Sequence, residues 1–110
     1  MINYEILPEH ILLVNIKGEI NAGSMLDFNQ SFDKLFDKLE NYKKVILDFE
    51  ECIFISSIGL AVILKILKLH HLTVKLTKLN KNIKKTFYIV KFDKLFEIYD
   101  TVEEAENSFN

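Results

Sequence analysis

One short segment constrains the fold more than any other: residues 45–49, where every position except Asp48 is apolar. A strand that is apolar on both faces has to be covered on both faces, which is typical of the centre of a parallel sheet. Along the chain, helical periodicity stands on either side of this segment, with apolar residues at three- and four-residue steps. A buried strand between two amphipathic helices predicts an α/β fold.

The rest of the chain continues this alternation. Pro8 interrupts the first strand pattern and predicts an opening hairpin, and residues 18–21 close the second strand. The predicted order is β-β-α-β-α-β-α-β-α, a mixed and mostly parallel sheet with helices packed on it. A chain of 110 residues has the size of one domain, so residues 1–110 are predicted to form a single unit. Strand patterns cover residues 3–7, 11–16, 45–49, 73–79 and the end of 92–99, and helical patterns cover residues 25–39, 60–69, 83–90 and 102–109.

Polar residues predict where three of the helices begin. Ser24 stands three positions before Asp27, a variant of the capping box in which a side chain accepts a backbone N–H. Asn80 precedes the third helical pattern and is a suitable N-cap residue. Thr101 and Glu104 form a regular capping box before the last helix.

The composition argues against several classes of partner. The chain carries 14 lysines, no arginine and a net charge of −2, and this balance argues against nucleic-acid binding, which usually needs a concentrated basic face. The longest apolar stretch, residues 53–69, contains Lys65 and Lys68 and is too short for a membrane span, so no direct membrane insertion is expected. No secretory leader pattern opens the chain, which predicts a cytoplasmic protein.

The cysteine and the adjacent histidines do not form a recognisable metal-binding motif in the sequence. Cys52 is the only cysteine and lies in an apolar run, so it is interpreted as a small buried side chain. His70 and His71 are adjacent, and neighbouring residues on a helix point about 100 degrees apart, so they rarely share one ion. No cysteine or carboxylate cluster accompanies them in the sequence. No metal and no cofactor are therefore predicted.

Two hydroxyls and a glycine, Ser56, Ser57 and Gly59, stand where the buried strand gives way to a helix. Helix N-termini carry unpaired backbone N–H groups and favour negative charge, so a serine there is suited to accept a phosphate. The same serines are also suited to cap the helix, and both interpretations stay open. Asp48 is one carboxylate without an evident base or nucleophile, so no catalytic residue is predicted and the protein is expected not to be an enzyme.

At this turn the sequence resembles the STAS domain family. The family pattern is an apolar strand ending in Asp, a connector, then Asp/Ser-Ser-Ser/Thr/Ala-Gly-Leu and an apolar helix, which residues 45–49 and 53–64 match. Residues 18–21, Gly-Glu-Ile-Asn, resemble the family's Gly-Glu-Leu-Asp element. Asn21 and Ser56 stand where acidic residues are common, and Ile58 stands where Ser, Thr or Ala is usual.

The resemblance implies a non-enzymatic regulator of the anti-sigma factor antagonist kind. Such a domain binds an anti-sigma factor that is also a serine kinase, and the kinase ends the binding by phosphorylating one serine, which by motif position is Ser57. The expected docking surface includes Gly18, Glu19, Asn21, Ser24, Ser56, Ser57, Ile58, Gly59, Lys65 and Lys68.

Two alternatives are kept. The first is a STAS subunit of a transporter-associated or stress-signalling complex in which Ser57 is never phosphorylated. The second is a small-molecule or nucleotide-binding domain that uses the helix N-terminus, against which the lack of a glycine-rich fingerprint counts. A hydrolase that uses Ser57 ranks last, because no positioned histidine–acid pair is evident. The oligomeric state is left open.

Overall fold

The structure, a computed structural model, describes residues 2–109. They form helices and strands in the alternating order that the sequence predicts, with two short strands in addition. In chain order these are β1 (Ile2–Leu7), β2 (Ile11–Ile16), β3 (Gly18–Ile20), α1 (Met25–Lys38), β4 (Lys44–Asp48), β5 (Cys52–Ile55), α2 (Ser57–Leu69), β6 (Thr73–Thr77), α3 (Lys81–Ile89), β7 (Glu97–Tyr99) and α4 (Val102–Asn107).

The main sheet has the strand order β1-β2-β4-β6-β7. The opening hairpin makes β1 antiparallel to β2, and the later strands all run parallel to β2. The central strand is β4, whose Leu47 lies opposite Val14 of β2 and Leu76 of β6. The predicted fold class, an α/β domain with a mixed and mostly parallel sheet, is confirmed.

Both faces of β4 are covered, as its sequence requires. Val45 and Leu47 belong to the large core, which also holds the buried phenylalanines of α1 and apolar residues of α2 and α3. Ile46 points the other way and joins a smaller cluster with Ala105 of α4. Alternate residues of a strand face opposite sides of its sheet, so one apolar run supplies two cores. The short α4 therefore covers the face that the other three helices leave open.

The segment predicted to close the second strand is instead a strand of its own. β3 pairs in parallel with β5 in a separate two-stranded sheet. Gly18, with a positive φ of 82°, turns the chain away from the main sheet, and its N–H donates to the carbonyl oxygen of Glu51 at 2.9 Å. This conformation costs glycine little, since it has no Cβ. The small sheet leads directly into α2.

Two of the three predicted helix caps are confirmed. Asn80 Oδ1 accepts the N–H of Ile83 at 2.9 Å, and Thr101 Oγ1 accepts the N–H of Glu104 at 3.1 Å. The capping box predicted for Ser24 is wrong. Ser24 makes no side-chain cap to α1, because its hydroxyl is used by the preceding loop.

Cys52 is buried at the start of β5, as predicted, with 2% of its surface exposed. Burial disfavours the charged thiolate and raises the pKa of this thiol to about 11. Among residues 2–109, each helix is too short or too polar to cross a bilayer.

Candidate functional site

Ser56 is the N-cap of α2. It has an extended backbone, with φ −77° and ψ 163°, and its Oγ accepts the N–H of Gly59 at 3.1 Å. Its own N–H donates to the carbonyl oxygen of Ile20 at 2.9 Å, which extends the pairing between β3 and β5 by one bond. The residue that opens α2 is therefore held by both its side chain and its backbone.

Ser57 is the first residue inside α2, and its side chain is exposed. Within the described residues, its hydroxyl takes part in no side-chain hydrogen bond, because the capping role has gone to its neighbour. An exposed hydroxyl beside the unpaired N–H groups of a helix N-terminus can accept a group from outside without loss of an internal contact. The two roles that the sequence left open for this serine pair are therefore divided between the two residues.

Gly59 allows α2 to approach the small sheet closely. A Cβ at this position would lie 2.9 Å from Ile55 Cγ1 and 3.0 Å from Ile20 Cγ2. Both neighbours are β-branched side chains with little freedom to rotate away. The glycine thus fixes how near the serine turn, residues 56–59, lies to β3 and β5.

The loop between β3 and α1 is tied together by its own side chains. Asn21 Oδ1 accepts the N–H groups of Gly23 at 2.9 Å and Ser24 at 3.2 Å. Ser24 Oγ in turn accepts the N–H of Asn21 at 3.0 Å and donates to the carbonyl oxygen of Glu19 at 2.7 Å. The neutral amide at position 21 thus has a clear local function. The loop begins directly after Ile20, whose carbonyl oxygen accepts the N–H of Ser56, so the loop and the serine turn are held next to each other.

Three apolar side chains are exposed in the serine turn and in the strand that leads to it. Ile58 is 66% exposed, and Ile53 and Phe54 of β5 are 64% and 44% exposed. The sequence reasoning included Ile58 but missed the other two, because an apolar run beside a buried strand resembles core. No sequence pattern distinguishes these two residues from core, because their exposure follows from the pairing of the short β5 with the three-residue β3.

Lys65 and Lys68 lie further along α2, and both are exposed. Ser57, Ala61 and Lys65 are four residues apart and share one helix face. At 1.5 Å per residue, Lys65 lies about 12 Å along the axis from Ser57. The lysines therefore extend the predicted surface along the helix and are too far away to pair with a group on Ser57.

Asp48 has an internal role. Only 5% of its surface is exposed, and its carboxylate accepts hydrogen bonds from Asn15 Nδ2 at 3.0 Å and Thr77 Oγ1 at 2.9 Å. Asp48 and Thr77 are the last residues of β4 and β6, and Asn15 is the last but one of β2, so the three lie side by side on neighbouring strands of the main sheet. The buried charge is thus matched by two donors, as buried polar groups generally require.

A shallow cavity of about 860 Å³ lies elsewhere, beside the β6–β7 edge of the sheet. Residues of β6, β7 and the segment that joins α3 to β7 line it, among them Val74, Phe96 and Tyr99. The serine turn contributes no residue to this cavity, so the helix N-terminus is part of an open surface.

Comparison with solved structures gives relatives over nearly the full length of the chain. An assigned anti-sigma factor antagonist from Thermotoga maritima is 26% identical, with 97% of this chain and 92% of that chain covered and a TM-score of 0.82. An anti-sigma factor antagonist from Mycobacterium paratuberculosis is 16% identical, with coverages of 98% and 92% and a TM-score of 0.82. The Bacillus cell fate determinant SpoIIAA in its phosphorylated form is 16% identical, with both chains fully covered and a TM-score of 0.69. At 16% identity, the last two show a common fold.

The family assignment rests on the sequence as well as on the fold. The model of the STAS domain family matches residues 2–105, which include both strands of the small sheet and the whole serine turn. The Thermotoga protein shares this fold at the highest identity of the three structures described. The chain belongs to the STAS domain family and resembles its anti-sigma factor antagonists.

Proposed function

We propose that this protein is a non-enzymatic regulator that docks on an anti-sigma factor with serine kinase activity and is released when Ser57 is phosphorylated. The observation that carries the proposal is the division of roles at the start of α2. Ser56 caps the helix, and Ser57 presents an exposed hydroxyl beside it. The likeness to the Thermotoga protein that is assigned as an anti-sigma factor antagonist supports the class of partner. Such a kinase uses ATP, so the proposed site of action is the cytoplasm.

A phosphate on Ser57 is expected to leave the fold intact. It adds about −1.5 to −2 charges at neutral pH. At an exposed helix N-terminus the macrodipole stabilises a negative charge by about 0.3–1 kcal/mol. No internal hydrogen bond of the described residues is broken, since the Ser57 hydroxyl makes none. The modification therefore acts on the partner, through bulk and charge on the surface that docks.

The proposed docking surface joins three parts. The loop of residues 18–24 and the serine turn are linked by the hydrogen bond from Ser56 to Ile20, and the exposed face of α2 continues from the turn. Ile58 supplies an exposed apolar side chain at the centre, of the kind that anchors protein interfaces. Its proposed members are Gly18, Glu19, Asn21, Ser24, Ser56, Ser57, Ile58, Lys65 and Lys68, to which we add Ile53 and Phe54, the exposed apolar residues of β5. Gly59, which the sequence also placed on this surface, is buried against β3 and β5 and can only position the turn.

The charge of this surface indicates what the partner presents. Asn21 and Ser56 are neutral where related antagonists often carry acids, and Glu19 is the exposed carboxylate that remains on the loop. A partner with a strongly cationic face would gain few ion pairs here. We therefore propose that apolar contact at Ile58 and Ile53 contributes more of the affinity than charge does.

Binding of wild-type protein, Ser57→Ala and Ser57→Asp to candidate kinase-type anti-sigma factors tests the proposal. We expect Ser57→Ala to bind as wild type does and Ser57→Asp to bind at least about tenfold more weakly, because a charge is placed against the partner. Ser31→Asp, at an exposed serine of α1, is the matched control and should bind normally.

Incubation with the bound kinase and ATP should also place one phosphate on Ser57, as read by mass spectrometry of the digested protein. Equal binding by wild type and Ser57→Asp would refute the switch. Tight and equal binding by wild type, Ser57→Ala and Ser57→Asp would instead favour a constitutive subunit of a larger complex.

A further inference from the structure

Two helices bring three potential metal ligands together at the end of the molecule opposite to the serine turn. Asp33 and Asp37 are one turn apart on α1, and His70 is the C-cap of α2. His70 Nε2 lies 3.8 Å from Asp33 Oδ1 and 3.7 Å from Asp37 Oδ1. All three ligand atoms lie within 4.8 Å of one another. The sequence did not suggest this cluster, because more than 30 residues separate the histidine from the two acids.

His70 Nε2 is a buried atom without a hydrogen-bond partner among the described residues. The imidazole side chain as a whole is only 12% exposed. Buried ring nitrogens usually have a partner, and an orphaned one calls for an explanation. The carboxylate oxygens at 3.7 and 3.8 Å face this atom but stand too far away for a hydrogen bond. The gap between nitrogen and oxygens therefore fits a third species better than direct contact.

The position of the cluster on the two helices favours a cation. Asp37 stands in the last turn of α1, and His70 follows directly after α2. Helix C-termini carry unpaired carbonyl groups and a partial negative charge, so a carboxylate in the last turn is unfavourable unless a cation compensates it. Two such helix ends and two carboxylates converge here. Lys43 Nζ, 3.0 Å from the carbonyl oxygen of His70, compensates part of this charge at the end of α2, and a cation between the two carboxylates would compensate more of it.

We propose that Asp33, Asp37 and His70 bind a divalent transition-metal ion of the Zn²⁺ class, which joins the end of α1 to the end of α2. Zinc accepts imidazole nitrogen and carboxylate oxygen at about 2.0–2.2 Å, so two ligands on a tetrahedral ion lie about 3.4 Å apart. The two nitrogen–oxygen separations need to close by only a few tenths of an ångström. Asp33 and Asp37 are 48% and 69% exposed, which leaves room for water as a fourth ligand.

His70 is already held in place for this role. Its N–H donates to the carbonyl oxygen of Ile66 at 3.1 Å, and its own carbonyl oxygen accepts Lys43 Nζ at 3.0 Å. Its ring lies against Phe36, with 6.1 Å between the ring centroids. A fixed backbone and a packed ring orient the ligand before the ion arrives, which favours binding. This site does not depend on the proposed role of Ser57.

Zn²⁺ titration of chelator-treated protein by calorimetry tests the assignment. We expect one site in the wild type, and affinity at least about tenfold lower in His70→Gln and in Asp37→Asn, because each removes a ligand. His71→Gln is the matched control at the adjacent histidine and should bind as wild type does. Co²⁺ in place of Zn²⁺ should give the visible absorption of a tetrahedral site in the wild type and lose it in the two ligand variants.

Circular dichroism without metal shows whether each variant is folded. Asp37 is exposed, so Asp37→Asn is expected to fold and still tests the site if His70→Gln does not fold. Zinc affinity in Asp37→Asn equal to that of the wild type would overturn the site. So would a loss in His71→Gln as large as that in His70→Gln.

Discussion

The backbone N–H of Gly59 donates to Ser56 Oγ at 3.1 Å, and this bond assigns the capping of α2 to the first of two adjacent serines. Ser57 is thereby left exposed, with a hydroxyl that the fold does not use. A residue can be modified without harm to stability only if it has no structural task. Ser56 therefore stabilises the turn, and Ser57 is the side chain that the turn exposes to a kinase or a binding partner.

We expect Ser56→Ala to destabilise the protein and Ser57→Ala to leave its stability nearly unchanged. Loss of an N-cap side chain costs about 0.5–2 kcal/mol, whereas an exposed residue without contacts contributes within about 0.5 kcal/mol. Urea denaturation followed by circular dichroism measures both. A larger loss in Ser57→Ala than in Ser56→Ala would contradict the assignment of the cap.

Gly59→Ala should destabilise the protein although alanine is the better helix former. The added Cβ meets Ile55 and Ile20 at 2.9 and 3.0 Å. Such overpacking costs about 1–3 kcal/mol, and the gain in helix propensity offsets about 1 kcal/mol of it. Gly23→Ala is the control, because its nearest neighbour, Asn21 Oδ1, would be 3.4 Å away. Unfolding of the two variants at the same urea concentration would show that the structure can accommodate a Cβ at position 59, and that α2 does not need a glycine there to pack on β3 and β5.

Thr77→Val should lower the free energy of unfolding by about 1.5–3 kcal/mol, the usual value of a hydrogen bond to a charged group. The Thr77 hydroxyl is fully buried and donates to Asp48, so its loss leaves a carboxylate short of one donor. Thr73→Val, at an exposed position of the same strand, keeps the β-branched shape and should change little. Equal effects of both substitutions would show that Asp48 does not need this donor.

The Cys52 thiol should make stability fall with rising pH above 9. Its pKa is about 11 in the folded protein against an ordinary 9.0, so the unfolded chain loses this proton first. Unfolding therefore releases a proton between these two values, and the contribution is complete below 9 and lost towards 11. Lysines also titrate there, so the readout is the difference in unfolding free energy between wild type and Cys52→Ala, which should shrink across this range. A constant difference would contradict the raised pKa.

The main sheet was predictable because its strands carry strong local patterns. The run at residues 45–49 requires two covered faces, and it has them in the two clusters that contain Leu47 and Ile46. The pairing of β3 with β5 was not predictable. Three- and four-residue strands show no periodicity, and their pairing joins residues more than 30 positions apart. A positive φ at Gly18, which redirects the chain, also leaves no pattern in the sequence.

The candidate site was predicted in part. The turn at residues 56–59 is recognisable from its residue types and its family pattern, but residue types alone did not show which serine caps α2. That depended on a backbone angle and on the position of one N–H group. The meeting of His70 with Asp33 and Asp37 escaped prediction for another reason, since it depends on how two helices pack side by side.

The hydrogen bonds that close the loop around Asn21 and tie Ile20 to Ser56 bear on the kinetics of association. A surface that is already ordered loses little conformational entropy when a partner arrives, and its on-rate is set by diffusion and orientation. Changes within this surface should then alter mainly how long a complex lasts. A modified Ser57 would on this basis end an existing complex by faster dissociation, while collisions between the partners continue at nearly the same frequency.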